Sequence, residues 1–262
     1  MLSGKKLHIE ATFLGSGTSH GVPVIACTCP VCQSADPKDK RLRSSLLLKI
    51  NGINYVIDAG PDFRQQMLRE NITTLRAILV THEHVDHIFG IDDIRSFNWV
   101  QKHPTDIYAE KRVQKAIMRI FNYVFADNKY PGIPKMNLHN IDNNPFEIDG
   151  IEFIPIRCYH HKLLVYGFRI GDLTYITDTN FIPEKEIEKL AGTRILILNA
   201  LRIEKHISHF NLEQAIEIIQ KVNPERGYLT HISHRMGKHQ YVQSILPSNV
   251  FLAYDGLTFS ID

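Results

Sequence analysis

Short apolar runs broken by turn residues alternate along the chain with stretches whose apolar positions recur at helical spacing. Residues 7–14 alternate well enough for a strand and run into Gly15-Ser16-Gly17-Thr18-Ser19, a tight glycine loop. Residues 45–50 and 53–58 flank Asn51-Gly52, the dipeptide of a two-residue hairpin turn. After that hairpin Asp62 is placed to cap a short helix through residue 68. Residues 75–80 form the next strand, and 88–97 start as helix. Val113, Ile117, Ile120, Phe121 and Val124 recur at helical spacing, which predicts a helix over 113–125. Residues 126–144, with their prolines, asparagines and glycine, read as a long surface loop. Short strands follow at 146–148, 151–156, 167–170 and 173–177, then a helix at 183–190 with proline in its first turn. A strand at 194–198, an amphipathic helix at 212–222, a strand ending at 228–231 and two final strands at 250–253 and 257–261 complete the chain. No residue-level repeat, low-complexity run or linker interrupts this order. The pattern is that of one α/β domain over residues 1–262, with two sheets inside and helices outside.

Composition changes little in that picture. The 262 residues are 44% hydrophobic and 22% charged, as in an ordinary soluble protein. A formal net charge of +2 lacks the basic excess of a dedicated nucleic-acid binder. No apolar run reaches the ~18 residues a membrane span requires, and residues 1–6 lead into a strand rather than an apolar export signal, so the expected location is the cytoplasm. The unusual count is fourteen histidines. Those at 8, 103, 139 and 239 read as surface residues, while His20 beside the glycine loop is open to either reading.

Candidate chemistry begins with Thr81-His82-Glu83-His84-Val85-Asp86-His87, directly after the apolar run Ala77-Ile78-Leu79-Val80. His82 and His84, two apart, share a face of an extended backbone, and Asp86 with His87 suits a turn that brings two further donors to a second position. Imidazole nitrogens with a carboxylate oxygen are the donor mix of zinc, manganese or iron. The bland alternative is a polar loop that happens to be rich in histidine, but His160, Asp178 and His231 also follow strand patterns. Metal-binding and catalytic groups collect at such ends, because the sheet fixes the backbone and the loops leave the site open. Asp58 is either a carboxylate that orients a ligand histidine or a turn residue. Cys27-Thr28-Cys29-Pro30-Val31-Cys32 supplies three thiolates on one loop, a knuckle at 27–32. A tetrahedral zinc there requires a fourth donor, and His234 in Thr230-His231-Ile232-Ser233-His234 is the candidate. Cys158 stands apart and reads as a buried apolar thiol.

Thr-His-x-His-x-Asp-His followed at long intervals by His, Asp and His resembles the metallo-β-lactamase superfamily over nearly the whole chain. That resemblance implies an αβ/βα sandwich of two mixed β-sheets flanked by helices, with two divalent ions, zinc or manganese. By it, His82, His84 and His160 hold one ion, Asp86, His87 and His231 the other, and Asp178 bridges them. His161 rivals His160, which the loop length to Gly167 favours. Two such ions share a water and lower its pKa, so that hydroxide forms near neutral pH, and Asp86 counts among the catalytic residues. The glycine loop through Pro23, the cysteine knuckle and Thr-His-Ile-Ser-His together resemble one branch, the phosphoribosyl cyclic phosphodiesterases of the carbon–phosphorus lyase pathway. Members carry an extra structural zinc on a Cys3His set, here Cys27, Cys29, Cys32 and His234. The same alignment puts His209, in Arg202-Ile203-Glu204-Lys205-His206-Ile207-Ser208-His209-Phe210, where the branch keeps a catalytic histidine able to give a proton to the leaving oxygen. His206 reads as a helper or, more simply, a solvated side chain. Asn199 departs from the branch, which has an acid there.

The expected activity is therefore metal-dependent hydrolysis of a small cyclic or nucleotide-like phosphodiester. Relatives of this branch imply a homodimer, and neither a membrane nor nucleic acid is expected as a partner. A ribonuclease Z-like tRNA 3′-processing nuclease is the alternative enzyme, though no long basic glycine-rich arm is present. A non-catalytic metal-stabilised binding protein is the alternative of another class.

Overall fold

A computed structural model describes residues 7–128 and 130–262. The stretch 1–6, on which the expectation of no export signal rests, lies outside the described residues. In chain order the first strands are β1 (Ile9–Gly15), β2 (Ser45–Ile50), β3 (Ile53–Ile57), β4 (Ala77–Leu79), β5 (Thr105–Glu110) and β6 (Met136–Ile141). Then come β7 (Phe146–Ile148), β8 (Ile151–His160), β9 (Leu163–Ile170), β10 (Leu173–Ile176) and β11 (Ile195–Asn199). The last are β12 (Arg226–Thr230), β13 (Val250–Leu252) and β14 (Thr258–Ile261). Helices are α1 (Phe63–Arg69), α2 (Val85–Ile88), α3 (Arg95–Gln101), α4 (Lys111–Ile120), α5 (Asn122–Phe125), α6 (Glu184–Glu188), α7 (Leu212–Val222) and α8 (His239–Ile245).

The described residues divide into two compact units. One holds the chain up to Leu14, Ser45–Ile141 and Gly256–Asp262, the other Gly15–Ser44 and Asp142–Asp255. The first is built on a seven-stranded sheet ordered β14-β1-β2-β3-β4-β5-β6. Its β1/β14 and β2/β3 pairs are antiparallel, and β3 through β6 run parallel. The second is built on a sheet ordered β13-β12-β11-β10-β9-β8-β7, parallel from β13 to β10 and antiparallel from β10 to β7. Each sheet is thus mixed, with an antiparallel side and a parallel run of four strands. This repetition of topology has no counterpart at the level of residues.

Each unit has its own core. Val56, Ile78 and Ile107 of three adjacent strands pack with Phe63, Ile88, Ile91, Val113 and Ile117 in the first. Ile176, Leu198 and Leu229 pack with Leu212, Ala215 and Ile219 in the second. The central parallel strands β4, β10 and β11 are buried at every position, the continuous apolar run expected of a strand covered on both faces. Asn211 caps α7 through the Gln214 amide while the Gln214 side chain returns to the Asn211 amide, and Asn223 ends the helix in a left-handed turn.

The strands expected at 151–156 and 167–170 run longer, as β8 to His160 and β9 from Leu163, and three further expectations change. Residues 126–144 contain the strand β6, whose Met-Asn-Leu-His-Asn-Ile sequence sits at a sheet edge with mostly part-exposed side chains. The helix expected over 113–125 is broken at Phe121, where φ −103° and ψ 43° leave the helical region, into α4 and α5. Asp62 does stand at the start of α1, but its side chain caps no amide there.

Candidate metal centre

Within the first unit the candidate residues lie at the carboxyl ends of the parallel strands β3 and β4. Asp58 follows β3 with φ 64° and is fully buried. Its carboxylate accepts the Thr81 amide at 2.8 Å, the Thr81 hydroxyl at 2.8 Å and His87 Nδ1–H at 2.6 Å. Burial raises the Asp58 pKa, and the neighbouring His87 and Thr81 oppose that rise. The bond from Nδ1 fixes the His87 tautomer and leaves Nε2 as the electron-pair donor. The Thr81 hydroxyl proton goes to Asp58, so Thr81 Oγ1 accepts from His82 Nδ1–H at 3.0 Å. His82 Nε2 therefore carries a lone pair, 2.9 Å from His84 Nδ1. The rings of His84 and His87 lie 4.5 and 4.2 Å from that of His82, and Asp86 Oδ2 is 3.2 Å from His87 Nε2. Basic nitrogens crowded onto one another and onto a carboxylate suit a cation.

The turn carrying Asp86 and His87 is α2, which continues into a 3-10 turn over Phe89–Ile94. Gly90 lets that turn approach the 59–63 segment, since a Cβ there would stand 2.1 Å from Gly60 O and 2.5 Å from Phe63 Cβ. The Ala59 amide bonds to His87 O at 2.8 Å and the Gly90 amide to Ala59 O at 2.9 Å. The pairing of His87 with Asp58 thus rests on a close backbone approach.

In the second unit two of the donors again follow parallel strands, and His160 ends the antiparallel strand β8. Asp178 lies after β10 with φ 50°, and His231 directly after β12 with φ 57°. Asp178 Oδ1 is 2.7 Å from His231 Nδ1. Ser44 Oγ and Thr18 Oγ1 each come within 3.2 Å of a His231 ring nitrogen, so the glycine loop region borders this histidine. His160, the last residue of β8, donates Nδ1–H to Ser208 O at 2.7 Å and leaves Nε2 as its donor atom. Its neighbour His161 is exposed, with φ 57°, at the following turn.

His209 is 8% exposed, and its ring packs 4.4 Å from that of His160, 5.1 Å from His231 and 5.2 Å from His206. Its Nδ1 is buried without a hydrogen-bond partner. Burial pushes the His209 pKa down to about 3; Asp178 pulls it up, and His231, His160 and His206 push it further down. His209 is therefore neutral at neutral pH in this state. A cavity of about 280 Å³ opens beside it, lined by Thr18, His20, Arg202, His206 and Arg235 among others. His206 is half-buried and His20 exposed, and both border this cavity. Asn199 spends both amide groups on the Thr179 peptide, accepting its N–H at 2.9 Å and donating to its carbonyl at 3.0 Å. It holds the residue next to Asp178 rather than presenting a group for proton transfer.

Three sulfurs and a ring nitrogen converge in the same unit. His234 Nδ1 lies 3.2 Å from Cys27 Sγ and 3.5 Å from both Cys29 Sγ and Cys32 Sγ, and all four donor atoms fall within 4.8 Å of one another. The Cys32 amide holds the Cys29 thiol down to about 6, with further help from Cys27 and His234, whereas burial pushes Cys32 up to about 11. A donor set of this chemistry fits zinc. Cys158 is fully buried apart from them, and burial raises its pKa.

His239 departs from expectation. It is 6% exposed rather than a surface residue, its amide bonds to Asp39 Oδ1 at 2.7 Å, and its Nδ1 lies 3.3 Å from the buried Arg41 guanidinium. No signal in the sequence around it distinguishes this role, because its partners Asp39 and Arg41 are about 200 positions away.

Residues 53–232 match the family model described as the β-lactamase superfamily domain. The crystal structure of a diphosphatase from the PhnP family is 38% identical, with a TM-score of 0.90, and the match covers 97% of this chain and 98% of that one. The human short-form tRNase Z shares the fold, with a TM-score of 0.69 at 19% identity over 97% of this chain and 99% of that one. An octanoyltransferase of Porphyromonas gingivalis is 42% identical over 257 residues, 97% of this chain and 52% of that protein. The chain spans about half or less of the length of such curated relatives. Two mixed sheets flanked by helices and this family match define the metallo-β-lactamase fold. The chain belongs to the metallo-β-lactamase superfamily and, within it, to the PhnP-like branch.

Proposed function

We propose that the protein is a metal-dependent phosphodiesterase acting on a small cyclic or nucleotide-like phosphodiester. The observation that carries this reading is the 38% identity, end to end, with a diphosphatase of the PhnP family. On it, His82, His84 and His160 hold one divalent ion, Asp86, His87 and His231 the other, and Asp178 serves both, with zinc or manganese as the metal. The internal geometry of each unit supports this, since His87, His82 and His160 each have Nδ1 engaged and Nε2 left to donate. Two ions so held would lower the pKa of a shared water and offset charge growing on the phosphoryl oxygens.

The chain's own residues supply the rest. Asp58 and Ser208 O fix the ligand rings, and Asn199 fixes the backbone at Thr179. His209 is neutral before substrate arrives; an anionic phosphoryl group beside it raises its proton affinity, so it can take up a proton and deliver it to the leaving oxygen. With an amide at Asn199, that position supplies no second acid. Cys27, Cys29, Cys32 and His234 hold a structural zinc in this reading, which also takes the protein as a cytoplasmic homodimer.

The test is elemental analysis of the purified protein combined with a panel of bis(p-nitrophenyl) phosphate, a ribose cyclic phosphate, a precursor tRNA and an octanoyl thioester. The last two cover the activities named for the tRNase Z and the Porphyromonas relative. Expected are two catalytic ions plus one at the cysteines, turnover of a phosphodiester, and loss of that turnover in Asp178→Asn. Cleavage of the precursor tRNA alone would favour a ribonuclease Z-like nuclease. A fully metallated protein inert toward the whole panel, and unfolded by metal removal, would leave a metal-stabilised binding protein.

A further inference from the structure

The segment between β11 and α7 carries His206 and His209 yet contains no regular secondary structure. Its base is closed by backbone bonds, from the Leu201 amide to Phe210 O at 3.0 Å and from the Leu212 amide to Arg202 O at 2.9 Å. Between those closures Ile203, Glu204, Lys205 and Ile207 are exposed, so little apolar burial orders the tip. What holds it is polar. Arg202 donates Nε–H to Glu204 O at 3.2 Å and an Nη2 hydrogen to Lys205 O at 2.8 Å, spanning two consecutive carbonyls with one guanidinium. Asn211 adds one bond to Ile203 O at 2.9 Å. Directly after the pinned carbonyls, His206 Nδ1 receives the Ser208 amide at 3.3 Å. The carbonyl of that same Ser208 accepts from His160 Nδ1 at 2.7 Å.

We infer that Arg202 is a positioning residue for both His160 and His209. Its planar fork fixes the loop path at residues 204–205, the path fixes the Ser208 carbonyl, and that carbonyl sets the tautomer and aim of His160. The same path leads into His209, whose ring packs against His160 and His231 and whose neighbour Phe210 is tied by its amide to Thr179 O. Lysine cannot reproduce the arrangement, because a single ammonium on a flexible stem lacks the rigid fork that meets two carbonyls at once. Two of the five guanidinium N–H groups are committed within the loop, and through them Arg202 acts on the histidines. Arg235, which shares the exposed Glu204 carboxylate with Arg202 at 3.6 and 3.8 Å, contributes a surface ion pair of little weight.

This inference rests on the reading of His160 as a ligand and His209 as a proton donor, and its test separates the two. In metal-free protein, Arg202→Ala is expected to raise amide hydrogen exchange over residues 203–210 while the rest of the second unit keeps its protection. In metallated protein, competition with a chelator is expected to show metal affinity lower by about tenfold to a hundredfold, the usual cost of losing an orienting partner. With bis(p-nitrophenyl) phosphate, kcat is expected to fall by a similar factor with KM nearly unchanged. Arg202→Lys, read alone should the alanine variant fail to fold, is expected to move exchange and metal retention in the same direction. Unchanged loop exchange and metal retention in a folded variant would overturn the inference, whatever the substrate proves to be. A raised KM at constant kcat would also overturn it, since Arg202 would then be touching substrate.

Discussion

The Asp58 carboxylate accepts two bonds from Thr81 and one from His87, with no solvent access to replace any of them. In Asp58→Asn, one carboxylate oxygen becomes an NH2 group. If that group faces His87, Nδ1 must accept and the ring proton moves to Nε2, where it blocks the donor pair. If it faces Thr81, it meets an amide N–H that needs an acceptor, and an unpaired buried group costs about 1–3 kcal/mol. The expected outcome is a metal affinity lower by roughly 10–100-fold, measured by chelator competition; an unchanged affinity would make Asp58 a turn residue after all. The sequence placed Asp58 at the end of a strand and left both roles open. Its partner Thr81 could not be identified there, because the choice between the roles depends on which strands are neighbours. His209 shows the converse, since a motif can place a histidine but its neutrality arises from burial among His160, His206 and His231.

Among the elements, the parallel strands that deliver donors were the readable ones, whereas β8, expected to end at 156, runs on to His160. β4, β10 and β12 are short apolar runs that end in Thr-His or Asp or His, and a buried parallel strand leaves that signature. The edge was harder to read. β5 and β6 pair with each other over six residues, yet β6 is polar and β5 alternates buried with part-exposed positions, so neither gives the apolar run that marks a covered strand. The break at Phe121 has no proline or glycine to announce it. One close approach does have a residue to mark it. Gly90 sits where the 3-10 turn after α2 presses on Gly60 and Phe63, and Gly90→Ala forces a Cβ into a carbonyl oxygen. Overpacking of this kind is expected to cost about 3 kcal/mol or more. Chemical denaturation would show the loss, and the His87–Asp58 pair should loosen with it. A glycine-to-alanine change that stabilised the protein would contradict the contact.

For the molecule as a whole, stability should depend on pH through His239. Burial, with Arg41 and Lys38 nearby, holds its pKa down to about 4 against an ordinary 6.5. The unfolded chain therefore binds a proton that the folded one refuses between those values. The contribution is complete above about pH 6.5 and is lost as pH falls through 4, on the order of 3 kcal/mol in total. Urea unfolding at pH 7 and pH 5 should show part of that loss, and His239→Gln should flatten the part of the slope owed to this residue; an unaltered slope would count against it. Both sheets also share a design that no residue pattern discloses, an antiparallel side followed by a parallel run, and in both the parallel run delivers donors, with His160 alone coming from the antiparallel strand β8. At three of those delivery points, Asp58, Asp178 and His231, the backbone turns left-handed. Asparagine, aspartate and histidine enter that conformation more readily than other side chains that have a Cβ, and branched ones scarcely enter it. The main chain thus screens substitutions before any metal does. A valine or isoleucine at these points would be rejected in a protein that had lost its chemistry altogether, so persistence of Asp, Asn or His there is partly a record of chain geometry. For the same reason asparagine, which keeps the turn and changes the donor, reports on chemistry more cleanly than alanine.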